Sequence, residues 1–373
     1  MQMEQTEVKE QEATDRTERM SPDWVRISMA AAIELGLKPG KISGCRCGCI
    51  NLLQNYPEGC FANCSYCGLA RHRPGLAEDN SFIRVSWPLF RTDEVAAKIG
   101  EVDRAQAGIG GVGRVCIAQV HDGRANRDLI DMTERVRAQA PDVPISALVS
   151  ANLLSEDWLA KIQAAGADII GIGLDAASEE VFRETRGKGV RGPHTWLKHW
   201  DIARAARRRF GAYKVNFHVV VGLGETDREL IDLFFKLHSE EIAAYIFSFN
   251  PEPGTVMEDV ERAPIKRLRR IQLVKHLIEK EGLAPEAIEF DDDAIVGIDS
   301  PNPAIAGAIE SGTPFMTDGC PDRQGEVACN RPYGSYRPGE EFRDYPFRPD
   351  AEDVATIREQ MQIDEVASRA KSN

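Results

Sequence analysis

The chain has no apolar run approaching the ~20 residues that a membrane-crossing helix needs, and no secretory leader is recognisable at its start. It has no excess of positive charge. Its 46 Lys and Arg stand against 59 Asp and Glu, and the net charge of −13 argues against nucleic acid or an anionic membrane as the main partner. Cysteine is sparse, nine in 373 residues. Without an export signal no disulfide framework is expected, so clustered cysteines read as metal ligands or redox groups in a reducing cytoplasm. No Gly-x-Gly-x-x-Gly turn follows the first candidate strand, which counts against a doubly wound dinucleotide-binding sheet.

What is present fits a globular protein with a full core: 42% of residues are hydrophobic and 28% charged. The charged, aromatic-free start reads as a disordered tail over residues 1–21. The expected organisation continues with a barrel and its N-terminal extension over 22–312. A Gly- and Pro-rich segment follows over 313–350, and a polar helix that frays into a tail over 351–373.

The middle of the chain alternates short β-branched runs with stretches of helical periodicity. Candidate strands are CINLLQNY (49–56), VCIAQV (115–120), ISALVS (145–150), DIIGIGLD (168–175), KVNFHVVVGL (214–223) and AYIFSFNP (244–251). Between them lie stretches with apolar residues three and four apart, several opening on Ser or Thr and ending in Gly. The strands are near-continuously apolar, as expected when both faces of a parallel sheet are covered. Six such units predict an α/β fold, a partial or near-complete (β/α)6 barrel of the TIM type. Its functional residues should stand at the C-terminal ends of the strands. That rim would collect the loop after the first strand, Asp175, the GLGE turn (222–225) and NPEPGT (250–255).

Six of the nine cysteines fall between residues 45 and 67. Cys60, Cys64 and Cys67 form a C-x3-C-x2-C pattern, in which only the last pair has the spacing of a zinc hook. Closely spaced thiolates on a short loop can wrap an iron–sulfur cluster, and three of them leave one iron of a [4Fe–4S] cluster open to another ligand. A structural zinc, or plain redox thiols, is the competing reading.

Cys60-x3-Cys64-x-Tyr66-Cys67 resembles the signature of the radical S-adenosylmethionine (radical SAM) superfamily, including the aromatic residue before the last cysteine. The likeness runs on through GIGLDAASEE and VVVGLGET. It implies that SAM chelates the open iron and that an electron cleaves its sulfonium. A 5′-deoxyadenosyl radical then abstracts hydrogen from the substrate. By the same resemblance Tyr66, Asp175, Gly222 and Glu225 are candidate SAM contacts. The plainer readings stay open: Asp175 as a cap of the next helix, Glu225 in a helix's first turn, Tyr66 as packing.

Cys116 falls inside an apolar strand and reads as core. Cys320 and Cys329 differ, because a Gly- and Pro-rich segment after the last barrel unit could fold back on the barrel. With Cys49 they make a candidate ligand set for an auxiliary [4Fe–4S] cluster. Cys45 or Cys47 is a substitute or fourth ligand, and Ser311 and Ser335 are weaker oxygen candidates. A redox-active or zinc-binding pair is the alternative for Cys320 and Cys329.

The phrases WVRISMAAAIELGLKPG, CINLLQNYPEGC, SFIRVSWP and CNRPYGSYRP together resemble the two-component lipoyl synthases, radical SAM proteins related to biotin synthase. That resemblance implies sulfur insertion at C6 and C8 of a protein-bound octanoyl chain. The carrier would be glycine-cleavage H protein, a dehydrogenase E2 lipoyl domain or a lipoate-binding protein. A second radical SAM component and an electron donor such as ferredoxin or flavodoxin are implied with it. The chain departs from the single-chain lipoyl synthases in lacking a C-x4-C-x5-C set and an Arg-Ser-Ser-Tyr ending. A biotin-synthase-like enzyme or another radical maturase is the second enzyme reading, and a non-catalytic iron–sulfur protein the reading from another class. An octanoyl C–H is not acidic, so general base catalysis has no purchase on it. His72, His121, His194 and His218 are therefore expected to be structural. Arg84 and Arg331 are expected to be solvated or salt-bridged, or else to position the auxiliary loop or the carrier.

Overall fold

The computed structural model describes residues 18–362 apart from 77–78, 300–301, 333 and 335–338. Most of the tail expected over 1–21, the end of the one expected over 351–373, and Ser335 lie outside the described residues.

The chain enters through β1 (Trp24–Ile27) and a short α1 (Met29–Glu34), which Ser28 caps by accepting from the Ala31 amide. The barrel proper starts at β2 (Cys49–Gln54). After the cysteine loop, β3 (Leu89–Arg91) leads into α2 (Thr92–Ala105). Strand and helix then alternate: β4 (Arg114–Ala118), α3 (Ala125–Gln139), β5 (Ile145–Val149), α4 (Glu156–Ala165) and β6 (Ile169–Asp175). Two helices follow, α5 (Glu179–Thr185) and α6 (Trp196–Phe210), before β7 (Val215–Val221), α7 (Asp227–Ser239), β8 (Ala243–Ser248) and α8 (Ile265–Glu281). A hairpin of β9 (Ile288–Asp291) and β10 (Ala294–Ile298), then α9 (Asn302–Ser311) and α10 (Ala351–Met361), complete it.

The main sheet runs β3-β1-β2-β4-β5-β6-β7-β8. From β2 to β8 every neighbour is parallel, as connections through covering helices require. The six parallel strands therefore form the expected partial barrel. β1, antiparallel beside β2, and β3, antiparallel beyond β1, escaped the sequence reading, being too short to show a period.

One expectation is corrected. The strands are continuously apolar on their outer face, while the inner face mixes polar and sulfur-bearing residues with apolar ones such as Leu53, Leu148 and Phe247. Ile50, Leu52, Val115, Ile117, Ile145, Ala147, Ile170, Ile172, Val215 and Phe217 are buried in the core shared with the helices. The alternate residues, including Asn51, Arg114, Cys116, Ser146, Asn216 and His218, contact one another and the C-terminal segment inside the barrel. Gly171 belongs to this inner face, since a Cβ there would meet Asn216 Oδ1 at 3.1 Å and His218 Nε2 at 3.6 Å. Toward the strand starts the interior thus gathers small, polar and sulfur-bearing groups, with the Tyr245 and Phe247 rings beside His218.

The segment after α9 closes the end where the strands begin. Asp318 takes the Ile246 amide of edge strand β8 at 3.0 Å and pairs with Lys275 at 3.3 Å. Arg114 donates to the Pro321 carbonyl at 2.6 Å, and Asn330 to the Arg46 carbonyl at 2.6 Å. Two glycines permit the approach. A Cβ on Gly48 would stand 2.6 Å from the Ala328 carbonyl oxygen, and one on Gly319 would stand 2.4 Å from that of Cys329.

Candidate active site and a second cysteine group

Cys60, Cys64 and Cys67 lie in the loop beyond β2, on the rim where the parallel strands end. Backbone contacts tie that loop to its neighbours. Phe61 donates to the His121 carbonyl at 2.9 Å, Ser65 to that of Thr185 at 2.7 Å, and Met257 to that of Ser65 at 3.1 Å. The Asn63 side chain reaches the Val190 carbonyl at 2.8 Å.

The three thiols act on one another. Cys67 is held well above the ordinary thiol range by burial and then by Cys64 and Cys60, and burial pushes Cys64 up to about 11. Amides of Ala62 and Leu69 point at the Cys60 and Cys67 sulfurs, each at 3.4 Å. Among the described residues no three His, Cys, Asp or Glu side chains form a cage for a single metal ion. A cubane spreads its ligands over separate irons instead of drawing them to one point, and a group of thiols with amide donors on sulfur suits it. Loading would displace the thiol protons that burial now retains.

Asp175 ends β6 with φ +64, after a register irregularity between Gly173 and Asp175. An aspartate held in the left-handed region is a strained residue of the kind that collects at functional sites. Tyr66 Oη donates to Asp175 Oδ2 at 2.5 Å. Arg186 donates to Tyr66 Oη at 3.2 Å and forms a short ion pair with the same Asp175 oxygen. The structure thus brings Tyr66 and Asp175 together and adds Arg186, which the sequence reading missed. Burial works against the Arg186 charge, but Tyr66 and Asp175 more than offset it and hold the guanidinium protonated. Burial in turn raises the Tyr66 phenol well above its usual range. Asp175 is no cap of α5, because Ser178 fills that place by accepting from the Val181 amide.

Glu225 has a different occupation. Its two carboxylate oxygens accept from the Gly222 and Leu223 amides, each at 2.8 Å, and Arg267 reaches it at 3.0 Å. It therefore holds the shape of its own turn. Gly222 sits there at φ +114, and a Cβ on it would press on Phe249 Cβ at 3.2 Å.

The second group lies inside the barrel, toward the strand starts. The Cys49 and Cys329 sulfurs approach Asn51 Oδ1 at 3.7 and 3.8 Å, and the two thiols share a hydrogen bond. That bond, with the Arg331 and Arg114 guanidiniums, holds Cys329 below the ordinary thiol range; the same bond and burial hold Cys49 above it. Cys320 lies 3.8 Å from Asn216 Nδ2 and interacts with Ser146 and Tyr245, and burial pushes it up to about 11. Cys49, Cys320 and Cys329 therefore lie in one group inside the barrel.

Cys116 corrects the reading that put it in the core. It is half-buried and faces the interior, and its thiol is raised by burial and then by Cys329 and Cys320. The alternation of VCIAQV carries the two faces, but only closure of the barrel shows which one holds the thiols. Cys47 goes the other way: it packs in the core cluster and donates to the Cys49 carbonyl at 3.3 Å, though its thiol still feels Cys329. Ser311 is occupied locally, donating to the Ala308 carbonyl and accepting from the Thr313 amide.

Arg84 is salt-bridged to Glu340 at 2.6 Å. Arg331 is not the surface residue expected. Its guanidinium stacks 3.7 Å from the Phe247 ring centroid, and its Nε and Nη2 have no hydrogen-bond partner among the described residues. His218 stands between the two levels, lowered to about 3 by burial, then by Arg331 and Arg186.

Comparison with known proteins bears on the span that holds Cys60, Cys64 and Cys67. The family model of the radical SAM superfamily matches residues 55–237. Biotin synthase 2 of Frankia casuarinae is 29% identical over 193 residues, covering 50% of this chain and 47% of that protein. The biotin synthase of Saccharopolyspora erythraea is 28% identical over 233 residues, covering 61% and 59%. The chain thus spans about half to three-fifths of these relatives' length. Among solved structures, methylornithine synthase aligns over 91% of this chain and 86% of that one at 14% identity, with a TM-score of 0.46. No helix among the described residues is long and apolar enough to cross a membrane.

Proposed function

We propose that this chain, which carries a radical SAM domain, inserts sulfur into an unactivated carbon chain, with a protein-bound octanoyl group as substrate and a lipoyl group as product. The observation that carries the reading is the pair of cysteine groups at two levels of one barrel interior. Cys60, Cys64 and Cys67 stand at the mouth, and Cys49, Cys320 and Cys329 stand deeper, toward the strand starts. Sulfur insertion needs both a radical source and a sulfur source, and the substrate has to lie between them.

The first group would hold a [4Fe–4S] cluster with SAM, which supplies the radical chemistry when bound. The chain's own residues have the binding work. Tyr66 and Arg186 orient Asp175 toward the rim, where it can accept from a ribose hydroxyl. Glu225 fixes the Gly222 turn so that backbone, with no side chain in the way, faces the bound molecule. The second group would hold the auxiliary [4Fe–4S] cluster that gives up sulfur. The amide donor of Asn216 and the guanidinium of Arg331 are placed to stabilise negative charge there.

The carrier in this reading is an octanoylated H protein, E2 lipoyl domain or lipoate-binding protein. A second radical SAM component and a ferredoxin or flavodoxin complete the system. The biotin synthases among its relatives support sulfur insertion as the class and keep dethiobiotin in view as a second substrate.

The test is direct. Anaerobically reconstituted protein, SAM and a reductant are incubated with octanoylated carrier and, separately, with dethiobiotin, and intact mass is read. A carrier gaining one or two sulfur atoms supports the proposal. Sulfur appearing only in dethiobiotin moves the protein to the biotin-synthase side. SAM cleavage with no C–S bond on either substrate, even with the second radical SAM component added, sinks sulfur insertion.

A further inference from the structure

We infer that Cys116 is a ligand of the second cluster, so that Cys49, Cys116, Cys320 and Cys329 form a four-thiolate cradle with Arg331 as its counter-charge. The inference rests on the proposed function in so far as that reading calls for a second cluster.

The argument begins with strand register. Cys116 on β4 is paired with Asn51 on β2 and with Ser146 on β5. Neighbouring strands lie about 4.8 Å apart, so Cys116 is one strand spacing from each. Asn51 is the residue whose side chain both Cys49 and Cys329 approach. Ser146 is one of the residues in contact with Cys320. Cys116 therefore sits midway between the two halves of the cysteine group, on the face that looks into the barrel. Its strand neighbours Val115 and Ile117 are fully buried on the opposite, helix-covered face.

Of the other donors weighed for a fourth position, Ser335 lies outside the described residues, Cys45 is half-buried beside Cys47 rather than on a barrel strand, and two are engaged elsewhere. Cys47 packs in the core cluster, and Ser311 is bonded within its own helix end. The Ser146 hydroxyl accepts from Arg114 at 3.0 Å, which directs its proton toward Cys320 as a hydrogen-bond donor.

Charge points the same way. A [4Fe–4S] cluster with four thiolates is formally dianionic, and a buried anion is tolerated only with compensating donors or cations. Arg331 acts on both Cys116 and Cys329, and two of its nitrogens lack a hydrogen-bond partner among the described residues. Arg114 is a second cation beside Cys329, though it is paired with Asp168 at 2.6 Å. With thiolates on all four irons, this cluster would have no open iron for SAM. The three-cysteine group at the rim would have one. The cradle would thus separate the two clusters' roles by ligand count.

The experiment uses the full chain carrying Cys60→Ala, Cys64→Ala and Cys67→Ala, which isolates the second site. After anaerobic reconstitution this chain is expected to hold about four irons, and its Mössbauer spectrum should have no iron distinct from the rest. Adding Cys116→Ala is expected to leave three thiolates, so that mild oxidation releases one iron and produces a [3Fe–4S] EPR signal. A distinct iron site in the parent chain, or an unchanged EPR response on adding Cys116→Ala, would overturn the ligand assignment alone. A parent chain that binds no iron would overturn both this assignment and the sulfur-insertion reading. The Mössbauer measurement leaves Cys116 intact, so the inference stays testable even if its variant folds poorly.

Discussion

Cys49 and Cys60 lie at opposite ends of one strand: Cys49 opens β2, and Cys60 lies in the loop beyond its last residue, Gln54. The five rises of about 3.3 Å between its six residues set the two ends of the strand roughly 17 Å apart. Two sulfur groups that are neighbours in sequence are therefore separated in space, with the barrel interior and His218 between them. Radical generation and sulfur donation should accordingly be separable. Cys60→Ala is expected to abolish reductive SAM cleavage. Cys329→Ala should still cleave SAM yet form no C–S bond. Chromatography of 5′-deoxyadenosine alongside intact mass of the carrier reads both, and a Cys329→Ala chain that still makes dithiolane would remove Cys329 from the sulfur-donating site.

Arg186 joins Asp175 to Tyr66, and hydrogen bonds to charged groups contribute about 1.5–3 kcal/mol each. Arg186→Gln should weaken SAM binding by roughly tenfold or more, with Tyr66→Phe milder. The double variant should fall short of the sum, because both side chains meet the same carboxylate oxygen. Isothermal titration of SAM into reconstituted protein gives the three values, and strict additivity would mean that the two side chains act independently.

Gly319 has no room for a Cβ, which would stand 2.4 Å from the Cys329 carbonyl oxygen. Forcing backbone to shift at such a contact costs about 1–3 kcal/mol. Gly319→Ala is expected to lower the urea midpoint and also the iron retained at the second site, since the displaced backbone carries Cys320 and Cys329. Normal stability with full iron content would show that the loop seats itself in some other way.

His199 is buried, with Nδ1 2.8 Å from the Thr195 carbonyl, and burial followed by the Arg186 charge lowers it to about 3. In the unfolded chain its pKa returns to about 6.5. The unfolded state therefore binds more protons below that value, and stability falls as pH drops from 6.5 toward 3. Between pH 7 and pH 5 the loss from this ring is about 2 kcal/mol. His194, also lowered chiefly by burial, adds in the same direction. Urea unfolding at the two pH values checks it, and equal stability at both would mean that these rings take up protons in the fold.

Much of the barrel was legible because its causes are local. Runs such as ISALVS and DIIGIGLD are apolar enough to be strands, and the helices between them carry their three- and four-residue spacing openly. The rim motif was legible for a similar reason: Cys60, Cys64 and Cys67 are close in sequence, so a short loop must bring them together. What escaped was set by long-range closure. Arg186 meets Asp175 only through the turn of α5, and Arg331 reaches Phe247 only because the C-terminal segment crosses the strand starts.

The sequence by itself determined the alternation of strand and helix, the loop that would hold the first cluster, and the presence of more sulfur than that loop needs. Which way each strand residue faces was decided by the tertiary structure. A period of two separates two faces without naming the inner one, and only helices packed on one side make the other a lumen. That is why Cys116 read as core and Cys47 as a candidate ligand, when curvature of the sheet puts Cys116 among the inner thiols and Cys47 in the core cluster.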